Sequence, residues 1–231
     1  MRQVPARPGN GRVVGWSVAL SIAVAGAAAI IIAVRSGAAP YQATGNSDPG
    51  AVVRIGTAVV RAATDICAVL CTGALAYGVL LTAPRTVAGR RLSLSPDGYR
   101  SLLTAGSWAI AWCVGALLMA SFSAASGAGL PLSAIATPDD WISLVAAQEE
   151  PRAWLICTVL VAVLALACRR TVTWRPMLAL LALAVLALLP PLATGHSPSD
   201  AGHDLATAAI MIHVPASAIW LGALVMLLAR T

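Results

Sequence analysis

Six long apolar stretches alternate with short polar segments along this chain. Each stretch is close to the length of about 20 residues that an α-helix needs to cross a bilayer. The stretches are predicted at Val13–Val34, Ile55–Thr82, Leu102–Ala124, Ala153–Cys168, Met177–Thr194 and Leu205–Ala229. This pattern predicts an all-α protein, a polytopic transmembrane helical bundle with about six spans.

The composition agrees with a membrane protein. Hydrophobic residues make up 59% of the chain and charged residues only 10%, whereas about a quarter of a soluble domain is charged. So few polar residues do not cover the surface of a water-soluble domain. The net charge of +6 comes from arginine, because the chain has no lysine. These arginines are dispersed over the loops, so the sequence predicts a lipid bilayer as partner and no nucleic acid.

The distribution of arginine predicts the orientation of the spans. Arginine concentrates in the N-terminal tail, in the second and fourth connections and after the last span, which all fall on one side of an alternating bundle. The positive-inside rule places that side, and both termini, in the cytoplasm. We therefore expect residues 1–12 to form a cytoplasmic tail and residues 13–231 to form one transmembrane domain. The arginines concerned are Arg2, Arg7, Arg12, Arg85, Arg90, Arg91, Arg100, Arg169, Arg170, Arg175 and Arg230.

Both ends of the chain allow an alternative. The first span has the arginine-rich start of a signal peptide and small residues near Ala38, although its apolar run exceeds the usual 7–15 residues. The chain also stops just after the sixth span, so one interpretation is a fragment of a longer membrane protein.

The longest connection, Ala125–Arg152, carries a helix start. Thr137 followed by a proline and two acids is typical of an N-cap and first helical turn. We expect a short helix that lies on the outer membrane surface with one apolar face. That face would contain Trp141, Ile142, Leu144 and Val145. Four other tryptophans near span ends are predicted in the headgroup layer: Trp16, Trp108, Trp154 and Trp174.

The three histidines of the chain lie within 18 residues of one another. His196 and His203 fall in the predicted outer loop before the last span. His213 lies about eight residues into that span, so about 12 Å deep. Imidazole is a good ligand for copper and zinc, and the cluster predicts a metal site formed by these three residues. The alternative is a polar loop plus one histidine that hydrogen-bonds to a neighbouring helix.

Pro215 lies two residues after His213. Its ring removes the hydrogen bond to the carbonyl of Met211, so we expect a kink beside the imidazole. Small residues on the same side of the helix allow close packing, which predicts that His213 points into the bundle. The residues predicted on or near this side are Ala206, Ala209, Ser217 and Trp220.

The second span carries a polar cluster of its own. Arg61 and Asp65 are four residues apart and can pair on one helix face. Charges within a membrane are costly and often functional, so these two residues predict an ion path, or alternatively a structural ion pair. Cys67 and Cys71 are also four apart, and paired thiols suit Cu(I). Equally, a free cysteine is commonly a small buried apolar residue.

The residues around the last span resemble the copper resistance D (CopD) family. That family has a Gly-His at the outer end of one helix, matched here by Gly195-His196. Its next helix carries a histidine, small residues and Trp-Leu-Gly-Gly-Leu, matched by His213 and by Trp220-Leu221-Gly222-Ala223-Leu224 with alanine at the second glycine. Enzyme motifs such as a phosphate loop or a nucleophile elbow are absent from the sequence, so we do not expect an enzyme.

The resemblance implies a protein of the bacterial cytoplasmic (inner) membrane with the copper ion as its ligand or cargo. It assigns functional roles to His196 and His213 and implies copper uptake or resistance. A periplasmic copper chaperone or an oxidase assembly protein would be the partner. Two alternatives stay open: copper delivery to a respiratory oxidase without transport, and a haem-binding membrane cytochrome with axial histidines.

Overall fold

Among the residues that the computed structural model describes, five helices are long and apolar enough to cross a membrane. The structure describes residues 47–82, 85–87, 91–194 and 203–230, with isolated positions between 26 and 45. Within these ranges the prediction of an all-α polytopic bundle is confirmed. The helices are α1 (Ala51–Ala76), α2 (Pro96–Ala128), α3 (Pro138–Ala147), α4 (Glu149–Cys168), α5 (Trp174–Thr194) and α6 (His203–Leu228), of which α3 is too short to span.

The first predicted span, Val13–Val34, lies largely outside the described residues. Helical residues are described there only at scattered positions from 26 to 36. The other five predicted spans correspond to α1, α2, α4, α5 and α6. The total of six spans therefore stays a prediction.

Capping residues make α2 longer than its apolar run predicted. The Ser95 side chain accepts a hydrogen bond from the backbone N–H of Gly98 at 3.1 Å, and Pro96 occupies the first turn. The helix ends at Gly129, whose φ of 63° is the left-handed conformation that glycine adopts most readily. The predicted bounds, Leu102–Ala124, followed hydrophobicity and missed these polar and small-residue ends.

The second connection contains a small antiparallel hairpin that the sequence analysis did not predict. Its strands are β1 (Arg85–Val87) and β2 (Arg91–Ser93). Ser93 also forms a β-bridge with Thr173, in the connection between α4 and α5. The second and fourth connections, both rich in arginine, therefore meet at one end of the bundle, which we call the arginine-rich end.

The C-terminal end of α6 reaches the same place. Arg230 donates a hydrogen bond to the backbone oxygen of Asp97 at 3.1 Å, and its guanidinium lies 4.9 Å from the ring centre of Tyr77. Tyr77 begins the π-helical turn Tyr77–Leu81 that continues α1. Because α1 and α6 both end here, the two helices run parallel. The location of this end in the cytoplasm stays a prediction.

At the opposite end, α3 begins with the predicted cap. Thr137 and Asp140 form a capping box, in which each side chain accepts a hydrogen bond from the other residue's backbone N–H at 3.1 Å. The location of α3 on the outer membrane surface, with one apolar face, stays a prediction. Trp141 donates to Ser121 of α2 at 2.9 Å and Val145 is buried, whereas Ile142 is exposed. The helix thus packs part of its apolar surface on α2.

Small residues bring α1 and α6 into backbone contact. A side chain built on Gly73 would overlap the backbone of Gly222, and the reverse also holds. The remaining interior is filled by larger side chains with less than 2% exposure, drawn from four helices: Leu75, Leu102, Trp112, Met119, Val161, Leu164 and Met177. The close crossing of α1 and α6 determines how the polar residues that precede it on the two helices lie relative to each other.

Candidate functional site

A cavity of about 370 Å³ lies within the spanning helices. Residues of α1, α2, α4, α5 and α6 all line it. Most of this lining is apolar, and the groups that could carry chemistry are Arg61, Asp65, Cys157, His213 and Ser217. The cavity therefore brings together the predicted pair of the second span and the predicted embedded histidine of the last.

Arg61 and Asp65 form the predicted ion pair. The Nε of Arg61 lies 3.3 Å from one carboxylate oxygen of Asp65. The guanidinium also lies 4.9 Å from the ring centre of Trp154, a cation–π contact. The two side chains are 36% and 58% exposed. A charged pair in a spanning helix is thus open to the cavity, as expected where ions or water enter a bundle.

His213 lines the same cavity from α6. Its Nε2 lies 3.4 Å from the Ser217 hydroxyl, one turn further along the helix. Asp65 precedes Gly73 by eight residues, and His213 precedes Gly222 by nine. Since the two helices are parallel and cross at the glycines, a rise of about 1.5 Å per residue places carboxylate and imidazole at nearly the same depth.

Three prolines flank the cavity. Pro215 lies within α6, and Pro190 and Pro191 lie within α5. Each removes the backbone donor for the carbonyl four residues earlier, and one of these carbonyls belongs to Ala187 in the cavity lining. Carbonyl oxygens without helical partners are available to an ion. Pro215 was predicted to matter from the sequence, whereas Pro190 and Pro191 were missed although a proline pair within an apolar stretch is visible there.

The other predicted metal ligands are not placed by this structure. His196 lies outside the described residues, and His203 is described only as the first residue of α6. Among the described residues, no group of three His, Cys, Asp or Glu side chains is arranged to hold a metal ion. The three-histidine site stays a prediction, with His213 as its placed member.

The two thiols of the second span do not line the cavity. Cys71 is fully buried in the apolar core, and Cys67 is half-buried beside it. Such surroundings match the packing alternative for these residues. Trp220, predicted on or near the His213 side of α6, does not line the cavity either and is 69% exposed.

Two lining residues were misjudged from sequence. Trp154 was predicted in the headgroup layer, yet it is only 2% exposed and its ring packs beneath Arg61. Cys157 was not among the predicted site residues, yet it lies one turn after Trp154 and lines the cavity. Their position depends on how α4 packs against α1, which the spacing within one helix does not reveal.

Outside the spans, the start of α1 carries a second arginine–aspartate pair. The Nη1 of Arg54 lies 2.6 Å from both carboxylate oxygens of Asp48, and the backbone N–H of Gly50 donates to the same carboxylate at 3.0 Å. These hydrogen bonds, that of Arg54 above all, hold the pKa of Asp48 below its usual value. The pair lies at the end of α1 that is opposite the arginine-rich end of the bundle.

The bundle of long apolar helices is that of a multi-pass membrane protein. Residues 52–207 match the family model for the copper resistance protein D-like, N-terminal domain. The chain therefore belongs to the copper resistance D-like family, as the resemblance around the last span indicated.

Mycobacterial proteins are similar over most of this chain. It is 30% identical over 213 residues to an uncharacterized protein of Mycobacterium bovis and, with the same values, to one of Mycobacterium tuberculosis. These matches cover 89% of this chain and 31% of each relative. An uncharacterized protein of Mycobacterium leprae is 26% identical over 172 residues, which is 74% of this chain and 26% of the relative. The chain thus spans less than a third of the relatives' length. No solved structure matches it.

Proposed function

We propose that this protein binds copper ions at His213 and moves them across the bacterial cytoplasmic membrane, in copper uptake or resistance. One observation carries the proposal. His213 and the Arg61–Asp65 pair, on two parallel helices, line the same cavity within the spans. Membership of the copper resistance D-like family makes copper the ion to consider first.

The side chains that line the cavity suit a metal ion that binds nitrogen ligands. Imidazole is a preferred ligand of copper, and Asp65 supplies a negative charge that compensates the cation. Ala187 lines the cavity, and its carbonyl, which Pro191 deprives of a helical donor, would add a neutral oxygen ligand. His196 and His203 would complete an outer binding site from which the ion enters.

Copper delivery to a respiratory oxidase is the second candidate. It would use the same histidines and a periplasmic copper chaperone or assembly protein as partner, without passage of the ion. Transport predicts that cells with the protein accumulate more copper than cells with the His213→Ala variant. Delivery predicts equal cellular copper and a loss of oxidase copper in the variant.

Haem binding is the weakest candidate. A bis-histidine haem site needs imidazoles on facing helices, and the other two histidines of the chain precede His213 by 10 and 17 residues at or before the start of the same helix. The absorption spectrum of the purified protein decides this point. A Soret band that disappears in His213→Ala would replace the copper proposal, whereas a spectrum without one supports it.

A further inference from the structure

The two arginine–aspartate pairs of α1 differ in geometry. The Nη1 of Arg54 contacts both oxygens of Asp48 at 2.6 Å, while Arg61 contacts one oxygen of Asp65 at 3.3 Å through Nε. Charge-assisted hydrogen bonds between nitrogen and oxygen are usually about 2.7–2.9 Å long. The pair inside the span therefore has the longer contact, although an unpaired carboxylate costs more free energy inside a membrane than outside it.

Arg61 has a second partner that does not move with Asp65. The Trp154 ring, 4.9 Å from the guanidinium, is 2% exposed and so is fixed by its surroundings. Among the described residues its buried indole Nε1 has no hydrogen-bond partner, so α4 holds the ring by packing. The face of a tryptophan attracts cations more strongly than other aromatic rings do. The guanidinium can thus give up its contact with Asp65 and keep a favourable position.

We propose that Arg61 is a displaceable counter-cation that makes the cavity selective for metal ions that bind imidazole. In the empty cavity it neutralises Asp65. A metal ion that binds Asp65 and His213 together takes its place, and the guanidinium stays on Trp154. This inference rests on the proposed copper site at His213.

Selectivity between metal ions follows from the ligands that each ion binds in the cavity. A hard cation such as Mg²⁺ prefers oxygen ligands and gains little from an imidazole. The one carboxylate that such a cation meets in the cavity is that of Asp65, and Arg61 already contacts one of its oxygens. Copper gains the His213 nitrogen in addition, so copper displaces the arginine where Mg²⁺ does not. Removal of the positive charge should tighten cation binding in general and abolish this discrimination.

The experiment compares copper affinity of the full chain in detergent micelles for the wild type and Arg61→Gln. Copper should bind at least about tenfold more tightly to the variant, since close charge pairs couple by that much or more. Millimolar Mg²⁺ should weaken copper binding to the variant and leave the wild type unchanged. Arg54→Gln is the matched control, because it removes an arginine of the same helix outside the cavity, and its affinity should equal that of the wild type.

Added guanidinium chloride provides a direct test of the mechanism. It should compete with copper in Arg61→Gln, where the site for a guanidinium is vacant, and have no such effect in the wild type at equal ionic strength. Unchanged or weaker copper binding by Arg61→Gln, with no response to Mg²⁺, would overturn the proposal and leave Arg61 as a structural partner of Asp65.

A second variant covers the case in which Arg61→Gln does not fold. Arg61→Lys keeps a positive charge beside Asp65, so copper affinity should stay within about twofold of the wild type and millimolar Mg²⁺ should again have no effect. Competition by Mg²⁺ in Arg61→Lys would contradict the proposal. These outcomes differ from a failure of the copper site itself, in which the wild type binds no copper or binds it independently of His213.

Discussion

Gly73 of α1 and Gly222 of α6 lie backbone against backbone, with no space for a side chain at either position. Small residues at such crossings allow close association of helices in membranes. This crossing joins α6 to the bundle on the side of α1 that carries Asp65. It thereby sets His213 opposite the Arg61–Asp65 pair, and the cavity depends on it.

Gly222→Ala should therefore destabilise the protein. The added methyl group meets the backbone of Val69 and Gly73, which cannot rotate away as a side chain can. Overpacking of this kind costs about 1–3 kcal/mol, and thermal unfolding in detergent would measure the loss. Gly106→Ala is the control, because its methyl group would lie 3.2 Å from the Cys168 Cβ and requires only a small adjustment. Equal stability of the two variants would show that the crossing is not tight.

The Arg61–Asp65 pair should show energetic coupling. Asp65→Ala leaves the arginine charge uncompensated in a span, so it should be more destabilising than the double variant with Arg61→Ala. Because both side chains are open to the cavity, we expect a coupling of about 1 kcal/mol, below that of fully buried pairs. A thermal-unfolding cycle over the four proteins gives this value. A double variant no more stable than Asp65→Ala would refute the pairing.

The Asp48–Arg54 pair should give a stability contribution that depends on pH. The pKa of Asp48 is lowered from 3.8 by its hydrogen bonds with Arg54 and Gly50. The contribution is then fully present above the unfolded-state value and is lost as the pH falls through the lower folded-state pKa. Unfolding temperatures of the wild type and Asp48→Asn should differ at pH 6 and converge near about pH 2. A difference that persists at low pH would mean that the carboxylate charge is not responsible.

Orientation in the membrane can be tested at the two ends of the bundle. Ser93 lies in the hairpin at the arginine-rich end, and Ser133 lies in the 3₁₀ turn Leu132–Ala134 at the other. The positive-inside rule predicts that single cysteines in a cysteine-free background will react with an impermeant reagent at position 133 and not at 93 in intact cells. Labelling at position 93 alone would invert the topology.

Those parts of the fold that depend on the length of apolar stretches or on local capping residues were predictable from the sequence. Spans, the all-α class and the Thr137 cap follow from local sequence, because each depends on residues within one helix. The hairpin at Arg85–Ser93 was missed, since short strands in a polar loop carry no strong periodic signal. The candidate site was predictable only in parts. Arg61, Asp65 and His213 were identified as charged or ionisable residues inside spans, whereas the role of Trp154 required the packing of α4 on α1.

Metal analysis of the purified protein tests the central claim most directly. The copper-to-protein ratio is measured for the wild type, for His213→Ala and for the variant in which His196, His203 and His213 are all alanine. Ile212→Ala serves as a control, because Ile212 is next to His213 in the same helix but is exposed and does not line the cavity. We predict bound copper in the wild type and in Ile212→Ala, its loss in His213→Ala and no further loss in the triple variant. Full copper content in the triple variant, with normal membrane insertion, would contradict the account.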